Sequence, residues 1–452
     1  MNRREFLAGT VASVAAASAH AAYDGYRDWE LVQRRVNDDA DNVRLHFDFT
    51  KPLHGPWLTN PGAGSMTVSW ISREKCAAAI EYRARGDAEW TRRWNTLYGM
   101  LDYSRDIHVF HLSGLRPATE YEYRFLSASS QYNTAYVGTC VGRETYSFKT
   151  FDPAATSYKV FVSADVHGAM RLVADAFWER TDAPEADMFL LLGDNVNDNM
   201  NEPRFYITSG FLDDIVRLWG KSRPTVFVRG NHDTWGRHAA EGWSDYFGRP
   251  DGRGYYAIEK GPALFVVLDW AEEYGLKSAA SREAAAAYHA EQVAWFKALK
   301  NTDRWQRAKF RIVLSHYGTR IGSPRDPQFK AFSGDMSEAL RDSSSAGRIH
   351  LLLCGHEHYY ARCLPHVPGY YHNPRHDKPG AKAHVYPATQ DADCPYTEIA
   401  GAYCEAMTLE VSESSLKVRS HDVRDAGATD LDGVTIKPDG SAAPSQGMDP
   451  DL

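Results

Sequence analysis

Five apolar segments of this chain stop at residues of metal-ligand type. Val160–Ser163 runs into Asp165-Val166-His167, and Met188–Leu192 into Gly193-Asp194-Asn195. Thr225–Val228 leads to Gly230-Asn231-His232-Asp233, and Phe310–Leu314 to Ser315-His316. Ile349–Leu353 continues through Cys354 into Gly355-His356-Glu357-His358, whereas a sixth segment, Leu264–Leu268, stands outside this set. Apolar runs this short, alternating with helical stretches at Ala169–Arg180 and Ala290–Lys300, predict strands in an α/β architecture. In the second stretch Val293, Phe296 and Leu299 recur at three-residue spacing, with Gln292 and Trp295 alongside. Ligands in open α/β sheets bind beyond the carboxyl ends of strands, so segments far apart in sequence can converge on one site. The glycines at these ends let the backbone turn sharply.

Each ending alone has a plainer explanation. Asp-x-His suits a solvated turn, Gly-Asp a loop opener, and Gly-Asn-His-Asp a helix cap. His316 suits a hydrogen-bonded core histidine, and His356 and His358 a strand end at the surface. The joint pattern differs, because every candidate is an oxygen or nitrogen donor and all lie at strand ends.

The 452 residues predict two or three domains at about 150 residues each. With 43% hydrophobic and 24% charged residues, the composition excludes a disordered or fibrous chain. A net charge of −8 leaves no global basic footprint for nucleic acid, although a local basic or metal-lined cleft stays compatible with it. No apolar run reaches the length of about 18 residues that a membrane span needs. Residues 46–151 predict an all-β module, with alternating segments at Ser65–Trp70, Ala78–Arg83 and Leu112–Phe125 and a last strand at Tyr146–Thr150. In the third segment Leu115, Tyr121, Tyr123 and Phe125 face one way, and Glu122 and Arg124 face water. The Leu-x-Pro-x-Thr-x-Tyr-x-Tyr spacing from Leu115 to Tyr123 is similar to the tyrosine corner of fibronectin type III sandwiches. Asp152–Thr156 is a linker, residues 157–425 form the α/β domain, and 427–452, rich in Asp, Gly, Pro, Ser and Ala, is expected to be a mobile tail.

Residues 1–21 have the order of an export leader: Arg3-Arg4-Glu5-Phe6-Leu7, a small-residue apolar stretch, then Ala19-His20-Ala21 as an A-x-A cleavage site. The Arg-Arg-x-Phe-Leu pattern resembles the bacterial twin-arginine signal, which implies passage through the twin-arginine translocase already folded and a periplasmic or secreted location. The alternative is an amphipathic first helix. Six cysteines without a C-x-x-C pair indicate neither a zinc knuckle nor a disulfide scaffold, and Cys394 with Cys404 is the first pairing to test.

The ordered set D-x-H, G-D, G-N-H-[DE], a lone His and G-H-x-H resembles the calcineurin-like metallophosphoesterase superfamily. With the β-module in front, the chain is similar to the purple acid phosphatase branch. The resemblance implies two mixed β-sheets packed face to face between helices, with a dinuclear metal centre at one edge. It places one metal on Asp165, His167 and His358, a second on Asn231, His316 and His356, and Asp194 between the two. It implies hydrolysis of phosphoesters by in-line attack of a metal-bound hydroxide. His232 would stabilise the transition state or protonate the leaving oxygen, with Asp233 able to orient it. Carboxylate, imidazole and amide donors suit iron, manganese or zinc without thiolate. Arg229, Arg237 and His238 lie near that loop, where phosphate contact and a solvated basic loop both fit. Asn197, Asp198, Asn199 and Asn201 either line the pocket or cap the next helix.

One departure from the purple branch is informative. Its tyrosine ligand, three residues after the Gly-Asp aspartate, is replaced here by Asn197, and His167 is present. A colourless or weakly coloured enzyme with no obligatory ferric ion is expected. The leading function is an exported phosphatase acting on small phosphomonoesters; the alternative is a phosphodiesterase or nucleotidase on the same centre. A non-catalytic surface binder using the β-module is the contrasting class, disfavoured by an intact ligand set.

Overall fold

A computed structural model describes residues 52–73, 75–131, 136–141, 144–197, 204–271, 278–321, 327–373, 384–386, 394–423 and 429–445. The expected leader, residues 46–51 of the expected β-module, and Asp198, Asn199 and Asn201 lie outside them. The chain divides into two compact units. Among the described residues no helix is long and apolar enough to cross a membrane.

The first unit is all-β, with antiparallel sheets. Pro52–Thr59, Ser65–Ser72 and Ile107–Ser113 form a three-stranded sheet, and Ala77–Ala84, Thr91–Trp94, Glu120–Gln131, Tyr136–Val141 and Tyr146–Lys149 a five-stranded one. Alternation drives the packing: on Ile107–Ser113 the residues His108, Phe110 and Leu112 are buried and those between them are not. Trp70 of one sheet stacks on Phe125 of the other with ring centroids 4.2 Å apart. The opposite face of the larger sheet is an ion-pair lattice. Buried Glu81 accepts from Arg92 and Arg124 at 2.8 Å each, and Arg124 also covers Trp90. Arg124 was expected to face water; the buried charge of Glu81 is what holds it against the sheet.

In the second unit, two mixed sheets pack face to face. One has the order Thr225–Phe227, Met188–Leu191, Ser157–Ser163, Ala406–Ser412, Leu416–Asp422, Thr429–Ile436, Ala442–Pro444. The other runs Tyr256–Lys260, Ala263–Val267, Phe310–Leu314, Leu351–Cys354, Thr397–Ala400, Tyr360–Cys363, Tyr370–Asn373, His384–Tyr386. The three leading strands of the first sheet pair in parallel, as do Ala263–Val267, Phe310–Leu314, Leu351–Cys354 and Thr397–Ala400. Burial on both faces is why Met188–Leu191, Ala263–Val267 and Leu351–Cys354 read as continuous apolar runs. Val160, Val162, Leu190 and Val226 share one core with Phe265, Val267, Ile312 and Leu314 from the facing sheet. The alternate residues point outward: Phe161 and Phe189 meet Phe177 and Trp219, and Leu264, Val266 and Val313 meet Phe296 and Leu299.

Helix Ala279–Leu299 begins well before the expected Ala290, at a Ser278/Ser281 capping box. Its buried stripe is Ala285, His289, Gln292, Phe296 and Leu299. Gln292 belongs to that stripe because its amide closes on the backbone of Asp269, accepting from the N–H at 2.8 Å and donating to the carbonyl at 2.7 Å.

The expected mobile tail needs correction. Residues 429–436 and 442–444 are strands that extend the first sheet, so the domain continues past 425. Asp432, buried, accepts from Arg362 Nε at 2.6 Å and from the Tyr360 hydroxyl at 2.8 Å, tying the last long strand to the opposite sheet. Polar composition hid the strand, because Val434 and Ile436 are its only large core residues among those described. The Cys394–Cys404 pairing is also corrected. Both are buried thiols outside any disulfide, Cys394 directed to the Tyr396 carbonyl and Cys404 to that of Val166.

Candidate metal centre

Strands from both sheets end at one place, and the loops that follow them are stitched together by their backbones. Asp165 N–H donates to Gly193 O at 3.1 Å, His167 N–H to Asp194 O at 2.9 Å, and Gly355 N–H to His316 O at 2.9 Å. Five of the candidate ligands, Asp165, His167, Asp194, His356 and His358, have left-handed backbones with φ between 44° and 73°. Such conformations cost energy in residues other than glycine and cluster at functional sites. The glycines serve a second purpose beyond turning. A Cβ on Gly230 would lie 2.2 Å from Asp194 N and Oδ1, and one on Gly355 2.4 Å from Asp165 Oδ2. Only a bare Cα lets these loops approach so closely.

The result is two overlapping donor sets. Ligand atoms of Asp165, His167, Asp194 and His358 lie within 4.8 Å of one another, and so do those of Asp194, His316 and His356. Asp194 belongs to both. Asn231 Oδ1 joins the second set, 3.0 Å from His316 Nε2 and 3.0 Å from His356 Nδ1. Asp165, Asp194, Asn231 and His316 are buried, His167 and His356 half-buried, and His358 exposed.

The chemistry of this set fits metal ions. His316 Nδ1–H donates to Leu192 O at 2.9 Å, which turns Nε2 toward the cluster. Nε2 faces two acceptors, Asn231 Oδ1 at 3.0 Å and Asp194 Oδ1 at 3.3 Å, and only a positive centre, a proton or a metal ion, suits the space between them. Burial disfavours charge on His316, yet the carboxylates of Asp194 and Asp165 lift it to about 10; the pocket demands positive charge at that point. Burial holds His167 down to about 4 and His356 down to about 3, so both present the neutral imidazole a metal requires. Burial also pushes Asp165 up, against the pull of His316, while His316, His232 and His167 outweigh burial at Asp194 and keep it ionised.

His232 stands beside the cluster. Its backbone N–H donates to Asp194 Oδ1 at 2.8 Å, and its Nε2 lies 3.9 Å from Asp194 Oδ2. Its ring meets His167 edge-on at 4.5 Å and Trp235 at 4.0 Å. Asp233, expected to orient His232, has its carboxylate elsewhere. It accepts from Gly230 N–H at 2.9 Å, Asn195 Nδ2 at 3.0 Å and the Tyr206 hydroxyl at 3.4 Å, and burial raises it to about 7. Asp233 therefore latches the Gly193–Asn195 loop to the Gly230–Asp233 loop.

The expected substrate contacts come together less well. Arg229 is held by Asp269 through two hydrogen bonds, its Nη2 at 2.5 Å, and Tyr288 donates to the same carboxylate at 2.7 Å. His238 lies 2.8 Å from Glu241 of helix Ala239–Phe247, Arg237 is exposed, and neither is part of the donor sets. Asn197 is exposed, with its backbone nitrogen beside Gly168. Three aromatic rings against the site histidines had no sequence signal: Trp235, Tyr317 over His356 at 4.1 Å, and Tyr403 beside His167 and His358.

Residues 158–360 match the calcineurin-like phosphoesterase family, and residues 55–150 match the purple acid phosphatase N-terminal domain. The chain thus combines a calcineurin-like phosphoesterase domain with a purple acid phosphatase N-terminal domain, and it is a metallophosphoesterase. Among solved structures, one titled "Structure of PhoD" aligns over 87% of this chain and 93% of that chain at 12% identity, with a TM-score of 0.55. A redesigned β-sandwich protein (18% identity, 23% of this chain, 95% of that chain, TM-score 0.17) and a structure titled "Myokine structure" (19%, 22%, 96%, 0.18) also align. No curated protein matches the chain.

Proposed function

We propose that this protein is an exported phosphatase that hydrolyses small phosphomonoesters at a pair of metal ions. The observation that carries the reading is the sharing of Asp194 by two donor sets. Asp165, His167 and His358 would hold one ion, Asn231, His316 and His356 the other, with Asp194 between them. Manganese, zinc or iron suits these donors. Bound there, the ions would supply Lewis acidity, making water a nucleophile at neutral pH and neutralising phosphate oxygens.

The chain's own residues do the rest. His316 is oriented by Leu192 O, so its Nε2 faces inward with no rotamer search. His232, held by its backbone to Asp194 and partly open to solvent, is placed to give a proton to the leaving oxygen. Asp233 positions the two loops that carry Asp194 and Asn231. With Asn197 in place of a tyrosine ligand, the loaded protein is expected to be colourless or weakly coloured. Residues 1–21 would direct export through the twin-arginine translocase, to the periplasm or beyond.

The test is hydrolysis of para-nitrophenyl phosphate beside bis-para-nitrophenyl phosphate by metal-supplied protein, with Asp194→Ala and His232→Ala as controls. Faster monoester turnover, lost in both variants, is the expected result. Turnover of the diester alone moves the substrate class to phosphodiesters. No turnover with about two metals bound per chain sinks the enzymatic reading.

A further inference from the structure

The turn between strands Thr397–Ala400 and Ala406–Ser412 is buried except for one ring. Gly401, Ala402, Cys404 and Glu405 are buried, and Tyr403 is 37% exposed. The turn is fixed from every side. Gly401 N–H donates to Cys354 O at 2.9 Å, just before Gly355-His356, and the Ser163 hydroxyl donates to Glu405 O at 2.7 Å, just before Asp165. Ala402 N–H donates to the Glu405 carboxylate at 2.6 Å, and Cys404 adopts a left-handed φ of 55°. Tyr403 is therefore displayed by a rigid mount that shares anchors with the metal-site loops.

Its ring lies 5.6 Å from that of His167 and 5.8 Å from that of His358. The His358 side chain is 48% exposed, against 7% for His167 and 0% for His316, so this is the side on which the donor cluster opens. Trp235 and Tyr317 also touch site histidines, but Tyr317 is buried and Trp235 half-buried. A rigid aromatic offers contact area at little cost in conformational entropy, and stacks on any planar π face.

We propose that Tyr403 is a substrate-binding residue, the surface on which the planar aromatic group of a phosphoester rests while its phosphate lies at the donor cluster. This rests on the phosphoesterase reading above and gives it a substrate class: phosphoesters of alcohols bearing an aryl ring or a nucleobase.

The experiment compares kcat/KM for phenyl phosphate and glycerol 2-phosphate in the full, metal-supplied protein and in Tyr403→Ala, Tyr403→Leu and Tyr403→Phe. Tyr403→Ala should lower the phenyl-to-glycerol ratio about tenfold, mainly through KM, as expected for loss of one stacking partner. Tyr403→Phe should keep the ratio within about twofold. A nucleoside 5′-monophosphate against ribose 5-phosphate separates a nucleobase from a simple aryl ring. An unchanged ratio in Tyr403→Ala, or an equal fall for both substrates, overturns the proposal. Should Tyr403→Ala melt early, Tyr403→Leu decides by the same ratio. If the wild type hydrolyses neither ester, the phosphatase reading fails, and calorimetric binding of phenylphosphonate beside methylphosphonate still judges Tyr403. Tighter phenylphosphonate binding that Tyr403→Ala abolishes supports it; equal binding overturns it.

Discussion

At the scale of single residues, the site is built less by its ligands than by what lets them meet. Asp233 gathers a backbone N–H, an amide and a hydroxyl in the interior, and removing it strands all three. Asp233→Ala should cost at least about 3 kcal/mol, since each of the three buried donors left unpaired costs about 1–3 kcal/mol. Urea unfolding of the variant beside wild type checks this, and a loss under about 0.5 kcal/mol would show that the latch is idle. Gly230 makes a different prediction. A methyl there meets Asp194 N and Oδ1 at 2.2 Å, so Gly230→Ala should reduce bound metal per chain more than it reduces helical or sheet content. Elemental analysis with circular dichroism separates the two; full metal occupancy would refute the steric argument.

At the scale of elements, the last long strand joins the two sheets. Asp432→Ala leaves Arg362 buried beside Tyr360 without its counter-charge, and an abandoned buried charge costs about 3–5 kcal/mol. Denaturant unfolding should show that loss, with Asp432→Asn falling between the two; wild-type stability in Asp432→Ala would mean Arg362 finds solvent. This strand also marks the limit of what the sequence made legible. The central strands were readable because burial on both faces demands unbroken apolar runs, as in Met188–Leu191 and Leu351–Cys354. Thr429–Ile436 was not, because it lies next to the edge of its sheet, with only the short Ala442–Pro444 beyond it, and carries Asp430 and Asp432, whose partners come from other strands. The ligand candidates were legible for a related reason: a donor at the end of an apolar run has few plain structural uses. Tyr403 left no trace, since it belongs to no such run and acquires meaning only from neighbours distant in sequence; Asp269 follows the run Leu264–Leu268 but pairs with Arg229 instead of joining the donor sets.

At the scale of the whole molecule, stability should depend on pH through histidines folded away neutral. His350 accepts from Arg311 N–H, faces Pro438 O, and is held down to about 4 by burial. Unfolding frees it to titrate near 6.5, so between those values the unfolded chain binds the extra proton. Stability is then full above pH 6.5 and declines as pH falls toward 4, by up to about 3 kcal/mol from this residue. Urea midpoints at pH 7.5, 5.5 and 4.5 for wild type and His350→Gln test the sign: the variant should lose less on acidification, and an equal slope would exonerate His350. Metal removal adds a second expectation. A ligand present at about a thousandfold its Kd adds about 4 kcal/mol to folding, so chelation should lower Tm, and restoring manganese or zinc should recover it.

The candidate ligands run from Asp165 to His358 and come from strands of both sheets, so no short stretch of unfolded chain can gather three of them. That spacing sets an order in time. Contacts so distant in sequence form late, after the entropy of closing long loops has been met. During refolding, metal capture should therefore lag the recovery of secondary structure and coincide with docking of the two sheets. A bound ion is then a clock that starts only when the fold is complete.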